Sequence, residues 1–138
     1  MRLRKTVRYF LQLAYKGTNY HGWQIQPNGN TIQSEIESAL STLLRKPISI
    51  TGSGRTDSGV HELVPQQMVF KLNSILPNDI VVKNCIPVID KAHARFDAVE
   101  RGYVYHIDLA RNPFSANEHL YVPYELDIDL MNQAAKRL

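Results

Sequence analysis

The run GSGRTDSGVHE, Gly52 to Glu62, sets Arg55 and Asp57 two positions apart among three glycines, with His61 just beyond. A carboxylate flanked by small residues such as Thr56, Ser58 and Gly59 can act as a general base or as a nucleophile. A guanidinium beside it can lower its pKa, bind a phosphate or stack on a base. Gly54 and Gly59 allow positive φ or the close approach of a ligand. The same residues also suit a structural Asx-turn with a local ion pair, and residue type alone favours that blander alternative. A P-loop would need GxxxxGK[ST], and no such lysine is present; nor does the rest of a dinucleotide loop follow the GSG.

Other groups with chemical potential are dispersed. His21, His61, His93 and His106 fit no zinc spacing and Cys85 stands alone, so no metal centre is expected. Asp57 and Glu62 could suggest a glycosidase pair, but Glu62 is read as a surface residue. Arg95 and Arg101 precede an aromatic-rich run that opens at Tyr103. Each arginine suits a phosphate contact or an ion pair equally well, and Tyr103, by spacing alone, suits sheet packing.

Elements must position these groups. Arg8 to Tyr15 alternates, with Tyr9, Leu11, Leu13 and Tyr15 on one face, which predicts a strand. Ile32, Ile36, Ala39, Leu40, Leu43 and Leu44 form one stripe, which predicts a helix from about Thr31 to Arg45. Asn30 is its expected cap, with Gln33 as the capping-box partner, and Pro47 its stop. Ile48 to Thr51 reads as a short strand entering the glycine loop. Gln66 to Leu72, with Met68, Phe70 and Leu72 on one face, reads as another. Further strands are expected at Asp79–Cys85 and at Gly102–Ala110, where Tyr103, Tyr105, Ile107 and Leu109 share a face. A last helix is expected from near Asp127, with a Leu130, Ala134, Leu138 stripe. This order predicts an α+β fold, a mainly antiparallel sheet with helices packed on one face.

At 138 residues the chain can bury a real core, and 43% hydrophobic with 21% charged residues is the balance of a soluble globular protein. A single cysteine excludes an internal disulfide. No run of roughly 18 apolar residues or signal-peptide pattern is present, so a cytoplasmic protein with no membrane partner is expected. The net charge of +3 is unevenly placed. Arg2, Arg4, Lys5, Arg8 and Lys16 all precede the first acidic residue, Glu35, which suits a polyanion, although an ordinary solvated face would look similar.

Five stretches, in order, resemble the tRNA pseudouridine synthase A family. They are YKGTNYHGWQ (Tyr15–Gln24), TIQSEIESAL (Thr31–Leu40), GRTDSGVH (Gly54–His61), NSILPNDI (Asn73–Ile80) and HARFDAVERGYVYHI (His93–Ile107). The family's patterns read YdGtxyxGWQ, a helix opening on TVQ, GRTDxGVH, NxxLPxDI and HARFxAxxRxYxYxI. The resemblance implies isomerisation of uridine to pseudouridine in the anticodon stem-loop of tRNA, with no cofactor and no metal. It places the nucleophile at Asp57, the arginine that holds the flipped nucleotide at Arg55, and the tyrosine that stacks on uracil at Tyr103. Arg101 and Arg95 fall on arginines of the family pattern, and Gly54, Thr56, Gly59 and His61 on the loop that supports the aspartate. The implied fold is of the pseudouridine synthase type with a ferredoxin-like half, and the complete proteins act as homodimers on tRNA.

Two departures stand out. The family inserts a largely helical segment between the strand corresponding to Gln66–Phe70 and the NxxLPxDI segment, whereas here MVFKLNSILPNDI joins them almost directly. The family also has a second domain, and DIDLMNQAAKRL resembles its first helix. The expected organisation is an N-terminal catalytic domain over residues 1–110, then a connection and the first helix of a second domain over 111–138. A competing expectation is a non-catalytic RNA-binding module with a sheet like that of an RNA-recognition motif, using RGYVYHI. A phosphate-binding hydrolase on the glycine loop is more remote. Asp57 separates the first two, because a carboxylate facing an RNA backbone repels phosphate.

Overall fold

A computed structural model describes residues 7–53 and 65–138. It forms two compact units, Met1–Val99 and Glu100–Leu138. The first contains β1 (Arg8–Tyr15), a one-turn 3-10 helix (Gly17–Asn19), α1 (Ile32–Leu44), α2 (Pro65–Asn73) and β2 (Ile80–Val88). The second contains the two-residue strands β3 (Ile107–Asp108) and β4 (Leu120–Tyr121), then α3 (Ile128–Ala135). The fold is α+β, as the order of apolar patterns predicts.

Apolar stripes build the first unit. α1 buries Ile32, Ile36, Ala39 and Leu40, and they join Met68 and Leu72 of α2 and Ile80, Val82 and Cys85 of β2 in one core. Each Ile, Leu, Val or Met side chain among them contributes roughly 1.5–3 kcal/mol when fully removed from water. β1 and β2 pair antiparallel over the whole length of β1, from Arg8 opposite Val88 to Tyr15 opposite Ile80. Gln12 faces Asn84 while Leu13 faces Val82, so Lys83 is an extra, bulged residue. The bulge carries the buried face of β2 from even positions, Ile80 and Val82, to the odd Cys85.

The helix termini show where local chemistry outweighs a simple reading. α1 begins one residue later than expected. Thr31, not Asn30, is the cap, and its hydroxyl accepts the Ser34 N–H at 3.2 Å while the Ser34 hydroxyl accepts the Thr31 N–H at 3.1 Å. The capping-box partner is therefore Ser34 rather than Gln33, whose longer side chain is used elsewhere. At the other end Arg45 adopts a left-handed conformation, φ 52°, and its N–H bonds back to the Ser41 carbonyl.

Three strand expectations need correction. Gln66–Leu72 is helical, within α2. Met68 and Leu72 are four apart and both buried, whereas Phe70 between them is 75% exposed. A helix satisfies that pattern and a strand does not. A helix therefore leads into NSILPNDI where the sequence predicts a strand. Ile48–Thr51 is not a strand; the run is held to α1 by side chains. Gly102–Ala110 is strand only at Ile107–Asp108, which pairs in parallel with Leu120–Tyr121. Tyr103 and Tyr105 precede that pairing and are exposed. In the second unit α3 is capped by Asp127, whose carboxylate accepts the Leu130 N–H at 2.8 Å, as its position in the sequence suggests. No residue of α3 is buried, so the Leu130, Ala134, Leu138 stripe has no covering layer within its unit.

Candidate functional site

Gly54, Arg55, Thr56, Asp57, Gly59 and His61 lie outside the described residues, as do Glu62 and the basic residues Arg2, Arg4 and Lys5. The described chain reaches the rim of that loop at Gly52 and Ser53, and α1 fixes the rim. The Ile48 N–H donates to the Ser41 hydroxyl at 2.9 Å, and the Ile50 N–H to Glu37 Oε1 at 2.8 Å. Gln33 Nε2 donates to the Ile50 carbonyl at 2.9 Å and to Glu37 Oε1 at 3.0 Å. Gln33 and Glu37 lie one helical turn apart, so both reach the same strip of backbone. The expected strand is replaced by a strap bonded to helix side chains.

The YHGWQ loop supplies the opposite wall. Its backbone is clamped to the start of α1, with the Ile32 N–H on the Gly22 carbonyl and the Gln33 N–H on the Trp23 carbonyl. Gly22 has φ +82°, a conformation that only glycine adopts without strain. Trp23 packs directly on the rim, and a Cβ on Gly52 would lie 2.0 Å from the indole nitrogen. The Tyr15 and Trp23 rings are 5.9 Å apart. Trp23 therefore buttresses the entry to the glycine loop, a supporting role.

A polar tie fixes this loop to the start of β2. Tyr20 donates its hydroxyl to Asp79 Oδ1 at 2.5 Å, Asn19 Nδ2 donates to Asp79 Oδ2 at 3.2 Å, and the Lys16 N–H donates to the Asp79 carbonyl. The bond to Asp79 pushes the Tyr20 pKa up to about 12, with burial adding to the effect. The same bond holds the Asp79 carboxyl below its ordinary value. Sequence pattern gave no signal for this pair, since its members are 59 residues apart.

The remaining site candidates fall in different units. Arg95 lies in a turn of the first unit, where the His93 N–H bonds Asp97 Oδ2 at 2.7 Å and the Arg95 N–H bonds His93 Nδ1 at 3.2 Å. Its guanidinium lies 5.8 Å from the Phe96 ring centre. Arg101 and Tyr103 belong to the second unit, and Tyr103 is 77% exposed. That unit also holds a cluster the sequence did not suggest. Asp108 accepts from the Ser115 hydroxyl and from His119 Nδ1, the latter at 3.0 Å, and the His106 ring stacks on His119. The Ser115 and His119 bonds hold the Asp108 carboxyl below its ordinary value. Because Ser115 bonds the aspartate rather than the histidine, this is a structural clasp and not a nucleophile activated by a base. Among the described residues no three His, Cys, Asp or Glu side chains converge on a possible metal position, and no helix is long and apolar enough to cross a membrane.

Residues 12–97 match the family model described as tRNA pseudouridine synthase. The chain is 46% identical to the tRNA pseudouridine synthase A of Parabacteroides distasonis over 144 residues, covering 95% of this chain and 57% of that protein. It is 46% identical to that of Bacteroides thetaiotaomicron over 143 residues, covering 95% and 53%. Against the tRNA pseudouridine synthase A of Chlamydia felis the identity is 40% over 148 residues, covering 95% and 55%. The chain thus spans little more than half the length of the curated relatives it matches.

Proposed function

The chain belongs to the tRNA pseudouridine synthase family, and from that premise we propose that it is the N-terminal catalytic part of an enzyme that isomerises uridine in tRNA. The observation that carries this is the family match over residues 12–97, which brackets GRTDSGVH intact. The reaction breaks the N1–C1′ bond of uridine and joins C1′ to C5. N1 gains a proton and C5 loses one to solvent, so the net change is an isomerisation. Asp57 is the nucleophile. It has to be ionised and unobstructed, which suits its neighbours Thr56, Ser58 and Gly59.

Arg55 fills the space left by the flipped nucleotide and binds its phosphate. Extrusion of a base costs a few kcal/mol, and such contacts offset it. Tyr103 stacks on the uracil, and Arg95 and Arg101 meet the tRNA backbone. The substrate is the anticodon stem-loop, and the complete protein acts in the cytoplasm as a homodimer. The fold extends the observed α+β arrangement to the ferredoxin-like half of a pseudouridine synthase. Residues 111–138 open the second domain; the exposed apolar side chains of α3, Leu130 among them, suit a helix that packs against further chain.

An Asp57→Ala substitution in the complete enzyme tests the assignment. Turnover should vanish, while tRNA affinity stays within about threefold, because a neutral side chain removes no phosphate contact. Parallel loss of binding with the fold preserved would remove Asp57 from the catalytic role. The competing RNA-recognition-motif sheet finds no support, since Arg101–His106 lies outside any strand.

A further inference from the structure

A polar row lies along α1 beside its buried apolar stripe. Gln33, Glu37 and Ser41 each follow one residue after Ile32, Ile36 and Leu40, so they share one side of the helix. The run 48–50 lies against that row. The Ser41 hydroxyl accepts the Ile48 N–H, and Glu37 Oε1 accepts both the Ser49 hydroxyl at 3.3 Å and the Ile50 N–H at 2.8 Å. The Ile50 carbonyl accepts from Gln33 Nε2 at 2.9 Å, so both polar groups of that residue are taken by helix side chains. Gln33 also reaches the other wall. Its Oε1 accepts the Ile25 N–H at 3.2 Å, and its own N–H holds the carbonyl of Trp23, whose indole packs on the buried Gly52. Gly52 is thus fixed through Ile50, two residues before it, and through Trp23, and Gln33 takes part in both holds. Gln33 and Glu37 are half-buried and bind to each other at 3.0 Å.

We propose that Gln33 and Glu37 are positioning residues for the reaction. They set the place and direction in which the chain leaves Gly52 and Ser53, and with it the placement of Asp57, four residues further on. The inference rests on the proposed role of Asp57. A glycine-rich loop has little stiffness of its own, so its anchored ends decide where its middle can stand. Catalysis tolerates little error in that placement, since a displacement of about 1 Å costs about a hundredfold in rate. Both side chains bind backbone and not substrate, so their loss belongs in the rate of reaction rather than in tRNA affinity. A second clamp of the same kind supplies a control. The Asn73 amide takes both polar groups of Val82 on β2, donating to its carbonyl and accepting its N–H, each at 2.8 Å.

The test uses the chain joined to the C-terminal remainder of the Parabacteroides relative. Tritium release from C5-labelled tRNA is followed in single turnover at saturating enzyme, with tRNA Kd measured separately. Gln33→Ala and Glu37→Ala should each slow release by about tenfold or more and leave Kd within about threefold. Glu37→Gln keeps an acceptor oxygen at the same point and should stay within about threefold of the unsubstituted rate. Asn73→Ala loses two backbone contacts of the same kind and should leave the rate unchanged. In the 138-residue chain, hydrogen exchange at the Ile50 amide should quicken by about fivefold or more in Gln33→Ala and Glu37→Ala, and not in Asn73→Ala. Asp57-dependent release that both alanine variants leave unchanged, an equal loss in Asn73→Ala, or unaltered exchange at Ile50 would overturn the positioning role and leave the proposed function standing. No release from the folded, tRNA-binding unsubstituted protein would instead overturn the proposed function, and the positioning role with it.

Discussion

Asp57 carries the proposed chemistry, but the residues that fix the chain up to Gly52 can be tested individually. Thr31 is fully buried and caps α1 through its hydroxyl. Thr31→Ala should lower stability by about 1–2 kcal/mol in denaturant titration, whereas Asn30→Ala should change it by less than half as much. Gly52 abuts Trp23, so Gly52→Ala should displace the indole, shift its emission and lower stability by about 1–3 kcal/mol. The Tyr20–Asp79 pair predicts a pH dependence. Asp79 has a lowered carboxyl pKa, so its contribution to stability is present above the ordinary carboxylate value of 3.8 and is lost as pH falls through the folded value. Tyr20 is raised to about 12, so its contribution is complete below pH 10 and is lost as pH rises through 12. Tyr20→Phe should lower the melting temperature at pH 7 and flatten its decline on acidification below pH 4. An unchanged acid limb would assign that decline to other carboxylates.

At the scale of elements, the bulge at Lys83 makes a prediction that pattern alone would miss. Val82 and Cys85 share the core face although they are three apart. Deleting Lys83 leaves them two apart and still on one face, so the sheet should survive with a small change in melting temperature. Deleting Val81 instead turns Ile80 outward and should cost about 3 kcal/mol, the range for losing a buried Ile side chain. The same reasoning explains what the sequence could and could not reveal. α1 was legible because six apolar residues follow one 3.6-residue stripe from Ile32 to Leu44. α2 was not, because Met68, Phe70 and Leu72 alternate as a strand would, and only the exposure of Phe70 distinguishes the two. The run 48–51 has the composition of a strand, but its hydrogen bonds go to Gln33, Glu37 and Ser41. Side-chain-to-backbone bonds of this kind leave no periodic trace.

At the scale of the molecule, the family was legible from five short motifs in order, and the α+β class from the order of the elements. The Tyr20–Asp79 tie was not, since its members are 59 residues apart, and the Asp108 clasp was not, since its side chains meet across irregular chain that carries no periodic pattern. The chain covers little more than half of its relatives' length, so the proposed activity belongs to the complete protein. The most direct measurement is tritium release from tRNA transcribed with C5-labelled uridine. It would compare the chain alone, the chain joined to the remaining C-terminal length of a curated relative, and each of these with Asp57→Ala. The proposed function predicts release from the joined protein that disappears with Asp57→Ala. Release that persists without Asp57, or no release from a folded, tRNA-binding joined protein, would contradict it.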